Sequence, residues 1–251
     1  MSKVTVEDLR KFGKIRYFCD LTTRNIQLWN DTLTARLKTQ SSVHGYHKRL
    51  KPYIAEAKSL QLIKDNPYDN MPRISRGKSE SIKFLTEAER KRIEDLELYG
   101  PTEKARDMFI FSCYTGLAYS DLIKVNRTTI FEENGKYFIM DQRVKTGGEY
   151  RLTILPPAMA ILEKYNFNIN LMTNQKCNEN LKIIAHMANI HINLTMHVGR
   201  HTFATWALSK KVPIATVSKM LAHTDVKMTE KYARVLQNSV DDGFDHLLDC
   251  M

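Results

Sequence analysis

The segment His197-Val198-Gly199-Arg200-His201 is followed by Leu221-Ala222-His223 and, nine residues after His223, by Tyr232. A helix over residues 196–208 would put His197, Arg200 and His201 on one face, because residues three and four positions apart are neighbours on a helix surface. A tyrosine hydroxyl ionises near pH ~10, so one that attacks a phosphate needs cationic or hydrogen-bonding neighbours to stabilise the developing charge. Arg200 suits this task because its planar guanidinium can bind two phosphate oxygens. The spacing predicts that these side chains converge.

Before this block, the hydrophobic pattern predicts a small sheet. Asn134-Gly135 lies between the apolar runs 129–131 and 137–140, which is the pattern of a tight hairpin turn. Gly147-Gly148 supplies a second turn before Tyr150–Leu155. The sequence therefore predicts three antiparallel strands in which residues 143 and 145 share a face, because side chains alternate along a strand.

The remaining segments after residue 83 are predicted to be helical. Thr86 and Glu89 have the spacing of a capping box, and Thr115-Gly116 ends a helix that starts near Ala105. A further short helix is expected from Tyr119 to Val125, and Pro213 suits the first turn of another. The fold class is therefore mainly α, of the α+β type.

The first third of the chain is predicted to be a separate helical domain. Apolar residues fall at helical spacing from Thr22 to Leu37 and from Ser41 to Ile63, which indicates two helices. Residues 71–81 are polar and basic, and we interpret them as an extended linker. The domain boundary is placed after residue 82, which gives domains of 1–82 and 83–251.

The positive charge is concentrated in the first domain. The whole chain carries a net charge of +10, but residues 1–83 hold 17 Lys and Arg against 8 Asp and Glu, and the rest holds 21 against 20. Such a surplus favours a polyanion such as DNA, because each basic side chain that meets a phosphate releases counterions. A solvated basic surface is the other interpretation. The candidate DNA-contacting residues are Lys48, Arg49, Lys51, Arg73, Arg76 and Lys78.

Composition excludes several other classes of protein. An apolar fraction of 43% in 251 residues can form a substantial core, and no apolar run approaches the ~20 residues that cross a bilayer. We therefore expect a cytoplasmic protein with no membrane partner. The four cysteines are far apart and form no Cys-x-x-Cys pair, which argues against a zinc ribbon or a disulfide framework. His197 and His201 have metal-pair spacing but lack a His-Glu-x-x-His context, so no metal is expected.

These motifs together resemble the tyrosine recombinase, or phage-type integrase, family. The resemblance rests on Thr115-Gly116-Leu117, a lysine on the hairpin, His-x-x-Arg-His, Leu-x-His and the following Tyr232. It implies a helical core-binding domain over 1–82 and a mostly helical catalytic domain with a small sheet over 83–251. It also implies cleavage and rejoining of double-stranded DNA through a 3′-phosphotyrosyl link, without a cofactor, by a homotetramer on paired sites. Integration or excision of a mobile element is the expected role.

The resemblance also implies roles for single residues. Tyr232 would be the nucleophile, Arg200, His197 and His223 would stabilise the charge, and Lys145 would be the general acid for the departing 5′ oxygen. Asp121 matches an acidic position of the family and is expected to orient His201 or Lys145; both Asp121 and His201 are supporting residues.

One position departs from the family pattern. Thr115-Gly116-Leu117 is followed by Ala118, where the family has an arginine. Loss of one guanidinium from a preorganised site costs on the order of 3 kcal/mol, or about 10²-fold in rate. Arg143 is the candidate substitute, with a cross-strand salt bridge as the structural alternative. Ala118 leaves a noncatalytic DNA-binding relative open as an alternative. A type IB topoisomerase-like enzyme, which uses the same nucleophile and cations, is the other open alternative.

Overall fold

The computed structural model describes residues 3–77, 81–145 and 147–236, and the chain divides into two compact units, Met1–Glu80 and Ser81–Met251. The described residues form eleven α-helices and one three-stranded antiparallel sheet. This confirms the predicted fold class, which is mainly α with a small sheet.

The first unit contains three helices, α1 (Lys3–Phe12), α2 (Thr23–Arg36) and α3 (Gln40–Ser59). The hydroxyls of Thr22 and Thr39 accept hydrogen bonds from the first turns of α2 and α3, so each helix begins at a side-chain cap. The sequence pattern predicted only α2 and α3. Helix α1 was missed because it is a short segment that is rich in charged residues.

Trp29 is at the centre of the first unit. Its side chain is fully buried, and its indole Nε1 donates a 2.9 Å hydrogen bond to Asp8, which also pairs with Arg36. The bond between Trp29 and Asp8 fixes α1 against α2, because a buried indole N–H needs an acceptor. The apolar core residues around it come from all three helices: Leu9, Ile26, Leu33, Val43, Leu50 and Ile54.

The second unit contains eight helices and the sheet among its described residues. The helices are α4 (Glu87–Glu94), α5 (Gly100–Thr115), α6 (Tyr119–Leu122), α7 (Pro156–Lys164), α8 (Asn174–Met187), α9 (Met196–Ser209), α10 (Ile214–Met220) and α11 (Lys227–Val235). The strands are β1 (Ile130–Glu133), β2 (Lys136–Gln142) and β3 (Glu149–Thr153). The predicted capping box of Thr86 and Glu89 is confirmed at the start of α4.

The sheet has the order β1-β2-β3, and both pairs of strands are antiparallel. Asn134 and Gly135 have φ values of 53° and 71°, as the tight turn between β1 and β2 requires. Strand β2 ends at Gln142, so Arg143 and Lys145 belong to the connection to β3. The predicted strand alternation across residues 143–145 is therefore wrong: Arg143 is buried and Lys145 is exposed.

Helix α5 is the central helix of the second unit and packs against α7, α8 and α9. Every residue from Asp107 to Thr115 is buried. Gly199 of α9 lies where this packing is closest, since a Cβ atom there would be 3.0 Å from Ser112 Oγ and 3.2 Å from the Phe109 carbonyl oxygen. The close approach positions Arg200, the next residue along α9, beside the end of α5.

No helix within the described ranges is both long and apolar enough to cross a membrane.

Replacing Gly199 with Ala should lower the free energy of unfolding by up to about 2 kcal/mol, because overpacking of the contact between α5 and α9 costs about 1–3 kcal/mol and the helix propensity of alanine returns about 0.5–1 kcal/mol. Gly45→Ala is the matched control: Gly45 is also helical, has no heavy atom within 4 Å of the added Cβ and should gain about 0.5–1 kcal/mol. Urea unfolding followed by circular dichroism measures both. A gain in stability of Gly199→Ala equal to that of Gly45→Ala would contradict the packing argument.

Candidate active site

Arg200 is held in place by two backbone carbonyl groups. Its Nη1 donates to the carbonyl oxygen of Gly116 and its Nη2 to that of Leu221, both at 2.7 Å. Gly116 ends α5 with a φ of 68°, and a Cβ there would lie 2.5 Å from Phe203, so this turn requires glycine. Arg200 is 8% exposed, and its guanidinium has three further N–H groups for a ligand.

Arg143 shares one of these acceptors. Its Nη2 donates to the carbonyl oxygen of Leu221 at 2.8 Å, so the guanidinium groups of Arg143 and Arg200 meet at one atom. The guanidinium of Arg143 also lies over the ring of Tyr150, with its carbon 4.7 Å from the ring centroid. Nε of Arg143 is buried and has no hydrogen-bond partner among the described residues. Arg143 is thus as deeply placed as Arg200, with 5% of its surface exposed.

Asp121 pairs with Arg143, which corrects the expected pairing with His201 or Lys145. One carboxylate oxygen of Asp121 accepts from Arg143 Nη1 at 2.6 Å, and the other accepts from the backbone N–H of Val144 at 2.9 Å. Asp121 is 3% exposed, so this is a buried ion pair. It is also not the cross-strand salt bridge considered as the alternative, because Asp121 lies in α6. Since α6 begins directly after Ala118, the pair holds Arg143 against the helix that follows Thr115-Gly116-Leu117-Ala118.

Tyr232 lies in α11 with its hydroxyl hydrogen-bonded to His201. The distance between Tyr232 Oη and His201 Nδ1 is 2.9 Å, and Tyr232 is 4% exposed. Helix α9 therefore brings two residues to the site from one face: Arg200 to the carbonyl groups and His201 to the tyrosine. The predicted convergence of residues from α9 and α11 is present in the structure.

His223 is oriented by a residue that the sequence analysis did not single out. Its Nδ1 lies 2.8 Å from Thr229 Oγ1, and its ring is parallel to that of Tyr232 at a centroid distance of 6.4 Å. Thr229 precedes Tyr232 by three residues in α11, so both face the same side of the helix. The three-residue spacing between Thr229 and Tyr232 was the sequence signal that could have identified Thr229. No sequence signal could have identified the carbonyl groups of Gly116 and Leu221, because every residue has a backbone carbonyl group.

His197 and Lys145 are at the exposed edge of this cluster. The ring of His197 packs against that of His201 at a centroid distance of 4.2 Å. Lys145 is exposed in the connection between β2 and β3. Burial lowers the pKa of His197, and the charges of Arg200 and then Lys145 act in the same direction. The ammonium group is therefore near the histidines and open to solvent.

Burial keeps the histidines of the site neutral. Desolvation lowers the pKa of His201 to about 4, and the nearby His197, Arg200 and His223 act in the same direction. Desolvation, with the charges of Arg200 and Arg143, also lowers the pKa of His223 to about 4. Burial lowers the pKa of Arg200 to about 10, with Arg143 as the next cause. Desolvation raises the pKa of Tyr232, and the charge of Arg200 partly opposes this shift.

The candidate DNA-contacting residues lie in the first unit. Lys48, Arg49 and Lys51 are exposed on α3, and Arg73 and Arg76 are exposed in the extended segment that follows. The ammonium group of Lys51 lies 4.8 Å from the ring centroid of Tyr68. Lys78 lies outside the described residues. Within the described ranges, no cluster of three His, Cys, Asp or Glu side chains has the arrangement of a metal site.

A family model described as the phage integrase family matches residues 83–239. This match takes in more than half of the chain, so the chain belongs to the phage integrase family, a family of site-specific DNA recombinases. The resemblance inferred from the motifs is confirmed. Among curated proteins, the tyrosine recombinase XerA of Saccharolobus solfataricus is 24% identical over 246 residues, which is 93% of this chain and 75% of the relative.

Solved structures show the same fold. The XerH site-specific recombinase bound to palindromic difH substrate, in a post-cleavage complex, aligns with a TM-score of 0.76 at 14% identity over 93% of this chain and 75% of that one. A lambda integrase dimer bound to a COC′ core site aligns with a TM-score of 0.73 at 16% identity over 91% of this chain and 85% of that one.

The neutral histidines predict how stability depends on pH. A histidine whose pKa is lower in the folded state than in the unfolded state (about 6.5) stabilises the fold fully above pH ~6.5. That contribution is lost as the pH falls towards about 4, the folded pKa of His201 and His223. The slope is at most about 1.4 kcal/mol per pH unit for each histidine, and solvent screening of these partly exposed rings reduces it.

Urea unfolding at pH 7 and pH 5 measures this loss. The double variant His201→Asn/His223→Asn should lose less stability between the two pH values than the parent chain, whereas His186→Asn, at an exposed position on α8, should behave like the parent. An unchanged pH dependence in the double variant would contradict the shifts.

Proposed function

We propose that this recombinase cleaves double-stranded DNA by attack of the Tyr232 hydroxyl on the scissile phosphate, which leaves a 3′-phosphotyrosyl link and a free 5′ hydroxyl. The observation that carries the proposal is the meeting of Tyr232 with His201, His223 and Arg200 around one buried hydroxyl. A phenol in that position has nearby donors for the phosphate oxygens and a partner for its own proton.

Arg200 and Arg143 are proposed to bind the nonbridging oxygens of the phosphate. Both donate one hydrogen bond to the Leu221 carbonyl oxygen, and other N–H groups of each guanidinium stay available for the phosphate. Two adjacent guanidinium groups repel each other, as the effect of Arg143 on the pKa of Arg200 indicates. An anion bound between them relieves this repulsion. Arg143 thereby takes the part that Ala118 cannot play, and Asp121 keeps it in position.

His197, His223 and Lys145 complete the proposed chemistry. His223, with Nδ1 held by Thr229, can present its other ring nitrogen to a phosphate oxygen, and His197 adds a further donor. Lys145 is exposed on a turn and can follow the departing 5′ oxygen to protonate it. The phosphotyrosyl diester retains the energy of the original linkage, so the 5′ hydroxyl of a partner strand can reverse the step without a nucleotide cofactor.

At the level of the whole protein, we propose a homotetramer on paired DNA sites that integrates or excises a mobile element in the cytoplasm. The DNA-bound dimer of lambda integrase, a structural neighbour, supports assembly on paired sites. Residues 1–82 would form the core-binding domain and 83–251 the catalytic domain. Lys48, Arg49, Lys51, Arg73, Arg76 and Lys78 would contact the phosphate backbone, consistent with the surplus of positive charge in residues 1–83.

A nicked suicide substrate tests the reaction directly. The parent chain should form a covalent protein–DNA adduct, because the fragment that carries the 5′ hydroxyl diffuses away and cannot religate, and Tyr232→Phe should form none. Adduct formation by Tyr232→Phe would assign the nucleophile elsewhere, and no adduct with the parent chain would favour a noncatalytic DNA-binding protein. Relaxation of supercoiled DNA that lacks paired sites would instead favour a topoisomerase-like activity.

Arg143→Ala should abolish strand cleavage and leave DNA affinity within severalfold, because one guanidinium of such a site contributes about 10²-fold or more to the rate. Since this change also leaves Asp121 buried and unpaired, the neutral pair Asp121→Asn/Arg143→Gln is the control that retains hydrogen bonding. The neutral pair should fold and bind DNA but cleave about 10²-fold more slowly. Adduct formation and gel shifts on the same substrate measure both; normal cleavage by the neutral pair would refute the substitution.

A further inference from the structure

We infer that His201 is the catalytic residue that accepts the proton of the Tyr232 hydroxyl during cleavage and returns it during rejoining. The inference rests on the proposed function, since it deepens the role of the same tyrosine. Its first support is geometric: Nδ1 of His201 is 2.9 Å from Tyr232 Oη, within the reach that a general base needs.

The other two histidines are engaged differently. Nδ1 of His223 is bound to Thr229, and the ring contact of His197 is with His201. Within the part of the chain that the structure describes, the hydrogen bond to the Tyr232 hydroxyl therefore belongs to His201. His201 also follows Arg200 directly in α9, so the residue that binds the phosphate and the residue that takes the proton are fixed by one helix.

The electrostatic surroundings keep His201 in the form that can accept a proton. Burial is the largest cause of its lowered pKa, and the charged and titratable groups that act in the same direction are His197 and Arg200 of its own helix and His223 before α11. The ring is therefore neutral at physiological pH, and the inferred role uses the tautomer that carries its proton on Nε2, because only that tautomer lets Nδ1 accept from the hydroxyl. Tyr232 retains its proton at the same pH because burial raises its pKa.

The proton moves as the new bond forms. As Tyr232 Oη bonds to phosphorus, the hydroxyl proton becomes more acidic and passes to Nδ1 of His201. At the same time the bond between phosphorus and the 5′ oxygen breaks, and that oxygen takes a proton from Lys145. The products are a phosphotyrosine, a 5′ hydroxyl, an imidazolium on His201 and a neutral Lys145. Rejoining reverses each transfer, so no proton has to come from solvent.

The dependence of the cleavage rate on pH tests this role. In His201→Asn the amide can keep the hydrogen bond to Tyr232 but cannot accept a proton. Adduct formation should fall by about 10²-fold or more at pH 7 and then rise about tenfold per pH unit, because the reaction now depends on the ionised phenol. The parent chain and the surface control His186→Asn should show no such slope between pH 6.5 and 9.

Two rescue experiments separate the proton acceptor from the other roles. A fluorinated tyrosine that ionises near neutral pH, placed at position 232, should restore most of the cleavage lost in His201→Asn. A substrate whose 5′ bridging oxygen is replaced by sulfur needs no proton on its leaving group and should rescue Lys145→Ala, but not His201→Asn.

A parent-like rate and a flat pH profile in His201→Asn, with Tyr232→Phe inactive, would overturn the role of His201 and leave the proposed function intact. Adduct formation by Tyr232→Phe would instead overturn the proposed function and this inference with it.

Discussion

The carbonyl oxygen of Leu221 is the atom on which the arrangement of the site depends. Two guanidinium groups donate to it, one from α9 and one from the connection between β2 and β3, and both arginines are buried. Each guanidinium has a second fixed partner, Gly116 for Arg200 and Asp121 for Arg143. One peptide group thereby joins the end of α5, the sheet and the segment before α11. Because two cations share one neutral acceptor, the site favours the binding of an anion.

Much of this could be predicted from the sequence because local geometry determines it. The positions of His197, Arg200 and His201 follow from helical periodicity, and the hairpin follows from Asn134-Gly135. The errors arose where tertiary structure decides. Arg143 was assigned to a strand face, but β2 ends at Gln142 and the chain turns inward there to reach Asp121. The partner of Asp121 could not be predicted, since several cations lie at compatible distances along the sequence and only packing selects one.

The balance of charge in the site follows from burial. The arginines stay charged in a buried environment because carbonyl and carboxylate oxygens accept hydrogen bonds from them, whereas the histidines have no carboxylate partner among the described contacts and remain neutral. This division gives two chemically distinct sets of groups within a few ångströms. The permanent cations suit an anionic ligand, and the neutral imidazoles suit proton transfer.

The use of a peptide oxygen as the common acceptor has an evolutionary consequence. No exchange of the side chain at position 221 removes that oxygen, so the anchor survives genetic drift for as long as the local path of the backbone is kept. An arginine on either of two different segments can therefore use the same anchor, as Arg143 and Arg200 both do.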